Sequence, residues 1–278
     1  MKQKTNAFLL ALPAGLSLLI FFIFPMGYIL WRTLSEFGLA GFEKFFKDPF
    51  YLDILWTTVR VSLLSTLVSL LLGYPCAYYI ARTRSRLKNV MMIIILFPFL
   101  VSAVVRSYGW MVILGQKGLI NQALQAAGLI RKPLKLLNTE LAVIIGMIHL
   151  LIPYMILSLV GVLQSIDPNV EYAAYSLGAT PREVFRKVVF PLSTPGILTG
   201  CVLVFTMSMT SYVTPKLLGG TKFRMMATMV VQEINVKFDW GMASAISYIL
   251  LAAILLVQFL VVVSTSGYMK RMGGGKNV

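Results

Sequence analysis

The chain has 278 residues, of which 58% are hydrophobic and 13% are charged, and its mean hydropathy is +0.82. Soluble domains are about half apolar and about a quarter charged, so this composition excludes that class and predicts a protein embedded in lipid. The 25 Lys and Arg against 10 Asp and Glu give a net charge of +15, which favours contact with anionic lipid head groups. Nucleic-acid binding is not expected, because it needs basic residues gathered on one polar face.

Six stretches of the sequence are long and apolar enough to cross a membrane as helices. A helix needs about 20 mostly apolar residues to cross a hydrocarbon layer of about 30 Å. The predicted spans run from Ala7 to Trp31, Trp56 to Ile80, Val90 to Leu114, Leu141 to Gln164, Val188 to Val213 and Ala243 to Tyr268. The predicted fold class is therefore an all-α polytopic membrane protein with six transmembrane helices.

An even number of spans places both chain termini on the same side of the membrane. Lys and Arg are enriched in cytoplasmic loops. Their density favours a cytoplasmic N-terminus, most visibly in the turn ARTRSRLKN after the second span, although the total numbers in the two sets of loops nearly tie. We predict that both termini are cytoplasmic. The first span, preceded by Lys2 and Lys4, is too long for a signal peptide and is predicted to be retained.

The segment between the fourth and fifth spans carries helix start and stop signals. Asp167 followed by Pro168 is typical of a helix N-terminus, and Gly178 can adopt the left-handed backbone conformation that ends a helix. Thr180 and Glu183 have the spacing of a capping box, which predicts a second helix immediately afterwards. The sequence thus predicts a short helix, a sharp corner and another helix on the cytoplasmic side.

This corner resembles the EAA loop of ABC importer permeases, in the stretch EYAAYSLGATPREVFRKVVFP. The family pattern is Glu-Ala-Ala, three residues, Gly, nine residues, Ile, any residue, Leu-Pro. The matching positions, including mild replacements of the Ile and the Leu, are Ala173, Ala174, Gly178, Pro191, Val188 and Phe190. The Glu of the pattern falls on Tyr172, whereas the carboxylate lies one residue earlier at Glu171, so the sequence leaves open which of them contacts the ATPase.

The resemblance implies that this short helix docks into a cleft on an ATP-binding subunit. The residues implied in that contact are Glu171, Tyr172, Ala173, Ala174, Gly178 and Ala179. It also implies the type I importer fold, a bacterial inner-membrane location, and three kinds of partner. These are a second, similar permease, two copies of the ATP-binding subunit, and a periplasmic binding protein that delivers the solute.

Further stretches resemble the spermidine/putrescine permeases of the PotB type within this family. They are GYPCAYYIARTRSR, LFPFLVSAVVRSYGWMVILGQKGLIN, PLSTPGILTGCVLVF and SYVTPKLLGG. The resemblance makes a polyamine the first substrate expectation, while relatives that carry opines, aminoalkylphosphonates or amino-acid derivatives leave other small solutes open. We predict an N-terminal segment with the first helix over residues 1–31, a five-helix permease core over 56–268, and the coupling loop at 165–187 within that core.

The sequence argues against catalysis by the chain itself. The C-terminal GGGKN lacks the upstream glycine and the hydroxyl residue of a phosphate-binding loop, so ATP is expected to bind to a partner subunit and no cofactor is expected here. Catalytic and metal-binding residues are not predicted, since the spans hold one His and no Asp or Glu, and Cys76 and Cys201 lie in apolar stretches. An ATP-independent secondary transporter or channel remains the alternative from another class.

Several polar and aromatic residues within the spans are candidates for the substrate pathway. Ionisable groups in a span normally face protein, water or an interface. The candidates are Arg106, Tyr108, Trp110, His149, Thr199, Thr206 and Thr210. Arg106 and His149 are expected in the outer half of the membrane, and the aromatic rings could hold ammonium groups by cation–π attraction. Equally open are roles in helix packing, in an aromatic belt, or, for the threonines, in hydrogen bonds to a neighbouring helix.

The absence of acidic residues within the predicted spans also bears on the substrate. A polyamine would be expected to meet carboxylates along its route, so recognition would depend on the binding protein, the partner permease, or outer-loop acids such as Glu233 and Asp239. An anionic or zwitterionic solute, for which Arg106 would be a natural partner, remains open.

Overall fold

The computed structural model describes residues 12–13, 15–83, 85–221 and 223–271, and the regular secondary structure in those ranges is entirely helical. The helices are α1 (Phe24–Glu36), α2 (Ala40–Lys47), α3 (Pro49–Arg82), α4 (Leu87–Leu100), α5 (Ala103–Leu114), α6 (Leu119–Ala126), α7 (Glu140–Ser165), α8 (Pro168–Ser176), α9 (Pro181–Val184), α10 (Phe190–Met209), α11 (Val213–Leu218), α12 (Met226–Gln232) and α13 (Trp240–Arg271). π-Helical turns occur at Leu19–Ile23, Phe185–Val189 and Glu233–Lys237. The start of the predicted first span, with Lys2 and Lys4 before it, lies outside the described residues.

Five of the helical segments are long and apolar enough to cross a membrane. They are Gly15–Glu36, Pro49–Arg82, Glu140–Ser165, Pro181–Met209 and Trp240–Ser264. A sixth crossing is possible if α4 and the following helical pair, Ala103–Ala126, form one broken span. The prediction of an all-helical polytopic membrane protein is confirmed.

The predicted third span is not a single straight helix. Leu87–Leu100 and Ala103–Ala126 are bent by 98° relative to one another. Val101 is extended, and Ser102 caps the new helix by accepting a hydrogen bond from the Val104 N–H at 3.2 Å. Pro98 has no N–H to donate within the last turn of α4, which weakens the helix just before the break. The break could not be predicted from composition, because the sequence is largely apolar both before and after Val101.

One compact unit consists of Ile54–Thr228 together with the part of α13 from Leu250 onward. Within it α7 and α10 pack with their backbones close together. A Cβ atom on Gly200 would lie 2.7 Å from the Met155 sulfur, and the Ser158 hydroxyl donates to the Gly196 carbonyl at 3.2 Å. Small residues and hydroxyls at such contacts are typical of helix pairs in membranes.

The second unit consists of the described part of Met1–Asp53 together with Met229–Ile249. Phe45 is fully buried there, and its ring stacks on Tyr51 with centroids 5.7 Å apart. The Tyr51 hydroxyl donates to the buried carboxylate of Glu233 at 3.4 Å, and Lys237 pairs with the same carboxylate at 2.7 Å. Glu233 therefore stabilises this unit rather than offering a free acid to a solute. Asp239 accepts the Met242 N–H at 2.8 Å and caps α13.

Candidate coupling corner and membrane pathway

The corner between α8 and α9 has the geometry that the sequence predicts. The Asp167 carboxylate accepts the Asn169 N–H at 2.9 Å and caps the start of α8. Gly178 has φ +85°, and the N–H of Ala179 donates to the Ala174 carbonyl at 3.1 Å, which closes the end of the helix. Because only glycine adopts this backbone conformation without strain, Gly178 sets the angle of the corner.

The helix after the corner leads directly into a membrane span. Thr180 and Glu183 form a reciprocal capping box, with the Thr180 N–H donating to the carboxylate at 3.0 Å. From Pro181 the chain remains helical through the π-helical turn Phe185–Val189 to Met209. A displacement of the corner is thus transmitted along one continuous helical segment into the membrane.

The two residues that the motif left ambiguous, Glu171 and Tyr172, differ sharply in exposure. Tyr172 is 60% exposed, and Leu177, the residue that ends α8, is 89% exposed. Glu171 is only 6% exposed. Ala174 and Ala179 pack against the hydrophobic core, whereas Ala173 is exposed.

The Glu171 carboxylate is held by two side chains of α3. One oxygen lies 2.5 Å from an Arg82 guanidinium nitrogen, and the other accepts the Tyr78 hydroxyl at 3.1 Å. Arg82 also donates to the backbone carbonyls of Leu163 at 2.9 Å and Ile166 at 3.3 Å, at the end of α7. These contacts join α3, α7 and α8. Sequence reasoning missed them because the partners are up to 93 positions apart along the chain.

An aromatic cluster fastens the start of α10 to α3. The rings of Tyr74 and Tyr78 lie edge-on to Phe185, with centroids 5.6 and 6.0 Å apart. The Tyr74 hydroxyl and the Ser193 hydroxyl are 2.7 Å apart, and Tyr74 also contacts Phe190. Both helices that flank the corner are therefore tied to the same end of α3.

Three of the predicted pathway residues come together where α5 meets α7. Trp110 lies edge-on to the imidazole of His149, with ring centroids 5.7 Å apart. Arg106 lies one helical turn before Trp110 on α5, within electrostatic range of His149 and Tyr154. The Tyr154 ring lies edge-on to Phe99, with centroids 4.7 Å apart. Among the described residues, the buried Nε of Arg106 has no hydrogen-bond partner. We call five residues the membrane cluster: Phe99 at the end of α4, Arg106 and Trp110 on α5, and His149 and Tyr154 on α7.

The remaining pathway candidates lie apart from the membrane cluster. Tyr108 is exposed on α5. Thr199 and Thr210 are exposed and donate to carbonyls of their own helix. Thr206 also donates within its helix, but its oxygen accepts the Gln258 amide at 2.7 Å, so it links α10 to α13. For Thr206, the contact is therefore a hydrogen bond to a neighbouring helix, which is one of the two roles that the sequence left open.

Two features of the described chain bear on other kinds of site. Buried serine hydroxyls without a hydrogen-bond partner lie on one face of α3, at Ser62, Ser65 and Ser69, and their spacing was a signal that sequence reasoning passed over. The described residues contain no group of three His, Cys, Asp or Glu side chains that could hold a metal ion. Cys76 and Cys201 are free thiols.

Residues 69–268 match the family described as binding-protein-dependent transport system inner membrane component. The chain belongs to this family. It is 34% identical over 215 residues to the spermidine/putrescine transport system permease protein PotB of Haemophilus influenzae, covering 76% of this chain and 75% of that protein. The Escherichia coli PotB is 31% identical over 76% of this chain and 78% of its own, and the E. coli permease YdcU is 29% identical over 86% and 77%.

Solved structures agree with this assignment at the level of the fold. A subunit of a bacterial alginate ABC transporter, crystallised with an alginate pentasaccharide-bound periplasmic protein, superposes with a TM-score of 0.76 at 17% identity, over 100% of this chain and 98% of that one. A chain of the MetNI methionine ABC transporter matches with a TM-score of 0.54, 16% identity, and coverages of 79% and 94%. The protein is therefore a multi-pass inner-membrane permease subunit of a binding-protein-dependent ABC importer, and it is not itself catalytic.

Proposed function

We propose that this permease imports a polyamine, of the spermidine or putrescine class, delivered by a periplasmic binding protein. The observation that carries the proposal is the 34% identity to a spermidine/putrescine permease over 215 residues. The proposed assembly contains this chain, a second similar permease and two copies of an ATP-binding subunit. ATP binds to those subunits, and this chain needs no cofactor of its own.

We assign the corner to the cytoplasmic side, with both termini on that side as well. The basic turn after α3 and the resemblance of the corner to an EAA loop support this orientation. The exposed side of α8, which includes the side chains of Tyr172 and Ala173, docks into the ATP-binding subunit. Gly178 and Ala179 keep the corner at the angle that the contact requires, and Glu171 acts from the inner face.

The proposed transport step begins at this contact. Closure of the ATP-binding subunits moves α8, and the continuous helix from Pro181 to Met209 passes that movement into the membrane. The break after Val101 lets α5 turn without bending α4, because the backbone there is not helical. The spans then change between states open to the outside and to the cytoplasm.

We place the membrane cluster on the substrate pathway. An ammonium group over the face of Trp110 would gain about 0.5 to 2 kcal/mol from cation–π attraction. Arg106 repels a polyamine, and we assign it the role of an electrostatic barrier that closes the outer part of the path at rest. Tyr108 and the exposed Thr199 and Thr210 remain weaker candidates, while Thr206 supports helix packing.

Uptake into proteoliposomes tests the substrate class. The vesicles contain both permeases and the ATP-binding subunits, with ATP inside and the binding protein and radiolabelled spermidine outside. We expect ATP-dependent accumulation that excess putrescine suppresses and excess molybdate or an aminoalkylphosphonate does not. No accumulation of spermidine would refute the polyamine proposal, and accumulation without ATP would support the secondary transporter instead.

A second solute class follows from a specific observation. A buried guanidinium nitrogen without a partner would suit an anionic or zwitterionic solute. Suppression of uptake by the phosphonate rather than by putrescine would favour that class.

A further inference from the structure

We propose that Glu171 is a positioning residue that fastens the coupling helix to the spans, and that it does not contact the ATP-binding subunit. The proposal concerns the Arg82–Glu171–Tyr78 network and rests on the proposed docking of α8. In the family pattern the carboxylate would be expected at the docking face. Here it lies one position earlier and points inward.

The Glu171 carboxylate is buried. The Glu171 side chain is 8% exposed and that of Arg82 is 18% exposed. Removing a carboxylate from water costs several kcal/mol unless a cation and hydrogen-bond donors replace the water. Glu171 has both, because Arg82 lies 2.5 Å away and Tyr78 donates at 3.1 Å. An outward turn toward a partner would leave the positive charge of the largely buried Arg82 side chain without its counter-ion.

Arg82 connects the end of α7 to α8. Its guanidinium donates to the carbonyls of Leu163 and Ile166, where α7 ends and its carbonyls lack helical partners. A cation is favoured at that helix end by the helix dipole. Arg82 therefore joins the C-terminus of α7 to the carboxylate of α8, so that both move with the end of α3.

Tyr78 lies on α3, one helical turn before Arg82. Its hydroxyl reaches Glu171 on one side of the corner, and its ring contacts Phe185 on the other side. Phe185 begins the π-helical turn that leads into α10. The network therefore bridges both arms of the corner, and a movement of α8 is shared among α3, α7 and α10.

It follows that the adjacent residues Glu171 and Tyr172 have different roles. Tyr172 supplies the contact to the ATP-binding subunit, and Glu171 transmits the movement to the spans. Loss of the Glu171 charge should leave docking intact but let α8 move independently of α3. ATP would then be hydrolysed with little transport.

The test compares Glu171→Gln with Glu43→Gln, a matched change at an exposed Glu–Lys pair outside the corner. Both are made in the complete importer. In Glu171→Gln we expect the ATP-binding subunit to co-purify normally and ATP hydrolysis to persist, while spermidine imported per ATP falls about five-fold. Backbone amides of α8 should exchange hydrogen about ten-fold faster, since local opening no longer breaks an ion pair. Glu43→Gln should match the wild type in all four measurements.

Two outcomes would overturn the proposal. Loss of the ATP-binding subunit from Glu171→Gln would show that Glu171 is a docking contact. Unchanged spermidine import per ATP together with unchanged hydrogen exchange in α8 would show that Glu171 has no role in coupling. If Glu171→Gln does not fold, Tyr78→Phe removes one hydroxyl and should show the same changes at about half the size or less. If the wild type imports no spermidine, the polyamine proposal fails, while co-purification and hydrogen exchange still decide the role of Glu171.

Discussion

Val162 on α7 packs directly against the backbone of Gly196 on α10, so closely that a Cβ atom on Gly196 would lie 2.9 Å from the Val162 Cβ. The Ser158 hydroxyl, one turn earlier on α7, donates to the carbonyl of the same glycine. The two spans that flank the coupling corner are thus held at a close and specific distance. This contact limits how far the corner moves without moving both spans.

Enlarging Gly196 should separate α7 from α10. We expect Gly196→Ala to lower the free energy of unfolding by about 1 to 3 kcal/mol, because the Val162 Cβ is fixed to the backbone of α7 and only a separation of the helices relieves the contact. Thermal unfolding in detergent measures the change. The control is Gly161→Ala on α7, where an added Cβ meets no atom within 4 Å. Equal stability of the two variants would show that the helices can separate without cost.

The corner itself should depend on the left-handed conformation of Gly178. An added Cβ at this position has open space around it, so the cost of Gly178→Ala is conformational strain alone, about 1 kcal/mol. Gly178→Asn should be milder, because Asn tolerates this conformation better. Titration of the ATP-binding subunit against detergent-solubilised permease measures the effect. Tighter binding of the ATP-binding subunit by Gly178→Ala than by Gly178→Asn would contradict an effect of backbone strain.

Two interhelical ion pairs among the described residues of Ile54–Thr228 should differ in strength according to their burial. Arg60 pairs with Glu140 between α3 and α7, with side chains 44% and 31% exposed, whereas Arg82 and Glu171 are far more buried. We expect Glu140→Gln to cost less than about 1 kcal/mol. Arg82→Gln should cost about 3 to 5 kcal/mol, since it leaves a buried carboxylate unpaired. Thermal unfolding of both variants checks the order, and a larger loss for Glu140→Gln would refute it.

Neutralising Arg106 should distinguish the two solute classes. If Arg106 is a barrier to a polyamine, Arg106→Gln should let spermidine leak from preloaded vesicles without ATP, about a hundred-fold faster than the wild type. Coulomb repulsion at about 6 Å amounts to about 3 kcal/mol at an effective dielectric constant of 20. For an anionic solute the same variant should lose uptake and show no leak. Arg60→Gln, near the other end of α3 from the corner, is the control. Unchanged leak and unchanged uptake would remove Arg106 from the pathway.

The local features of the coupling corner could be predicted from sequence, whereas its tertiary contacts could not. Caps and turns depend on residues within four positions of one another, so Asp167, Gly178 and the Thr180–Glu183 box were recognisable. The Arg82–Glu171 pair joins residues 89 positions apart and has no local signature. The direction in which Glu171 and Tyr172 face follows from how α8 packs on α3, which the motif alone does not specify.

The membrane region shows the same division. The apolar runs could be found from composition, because any segment within the lipid must be apolar, whether or not its helix is straight. The break at Val101 was not anticipated, since Ser102 is a cap residue inside an otherwise uniform run. The membrane cluster brings Arg106, Trp110 and His149 together, whereas the sequence predicted only a similar depth for Arg106 and His149, and Tyr108 is exposed.

The central claim is that ATP-driven movement enters this chain through the exposed face of α8. Site-specific crosslinking tests it most directly, with a photoreactive maleimide attached to Tyr172→Cys or to Glu171→Cys after Cys76 and Cys201 are replaced by Ala. The account predicts an adduct with the ATP-binding subunit from position 172 and none from position 171. An adduct from position 171 alone, or from neither position in an assembled importer, would contradict it.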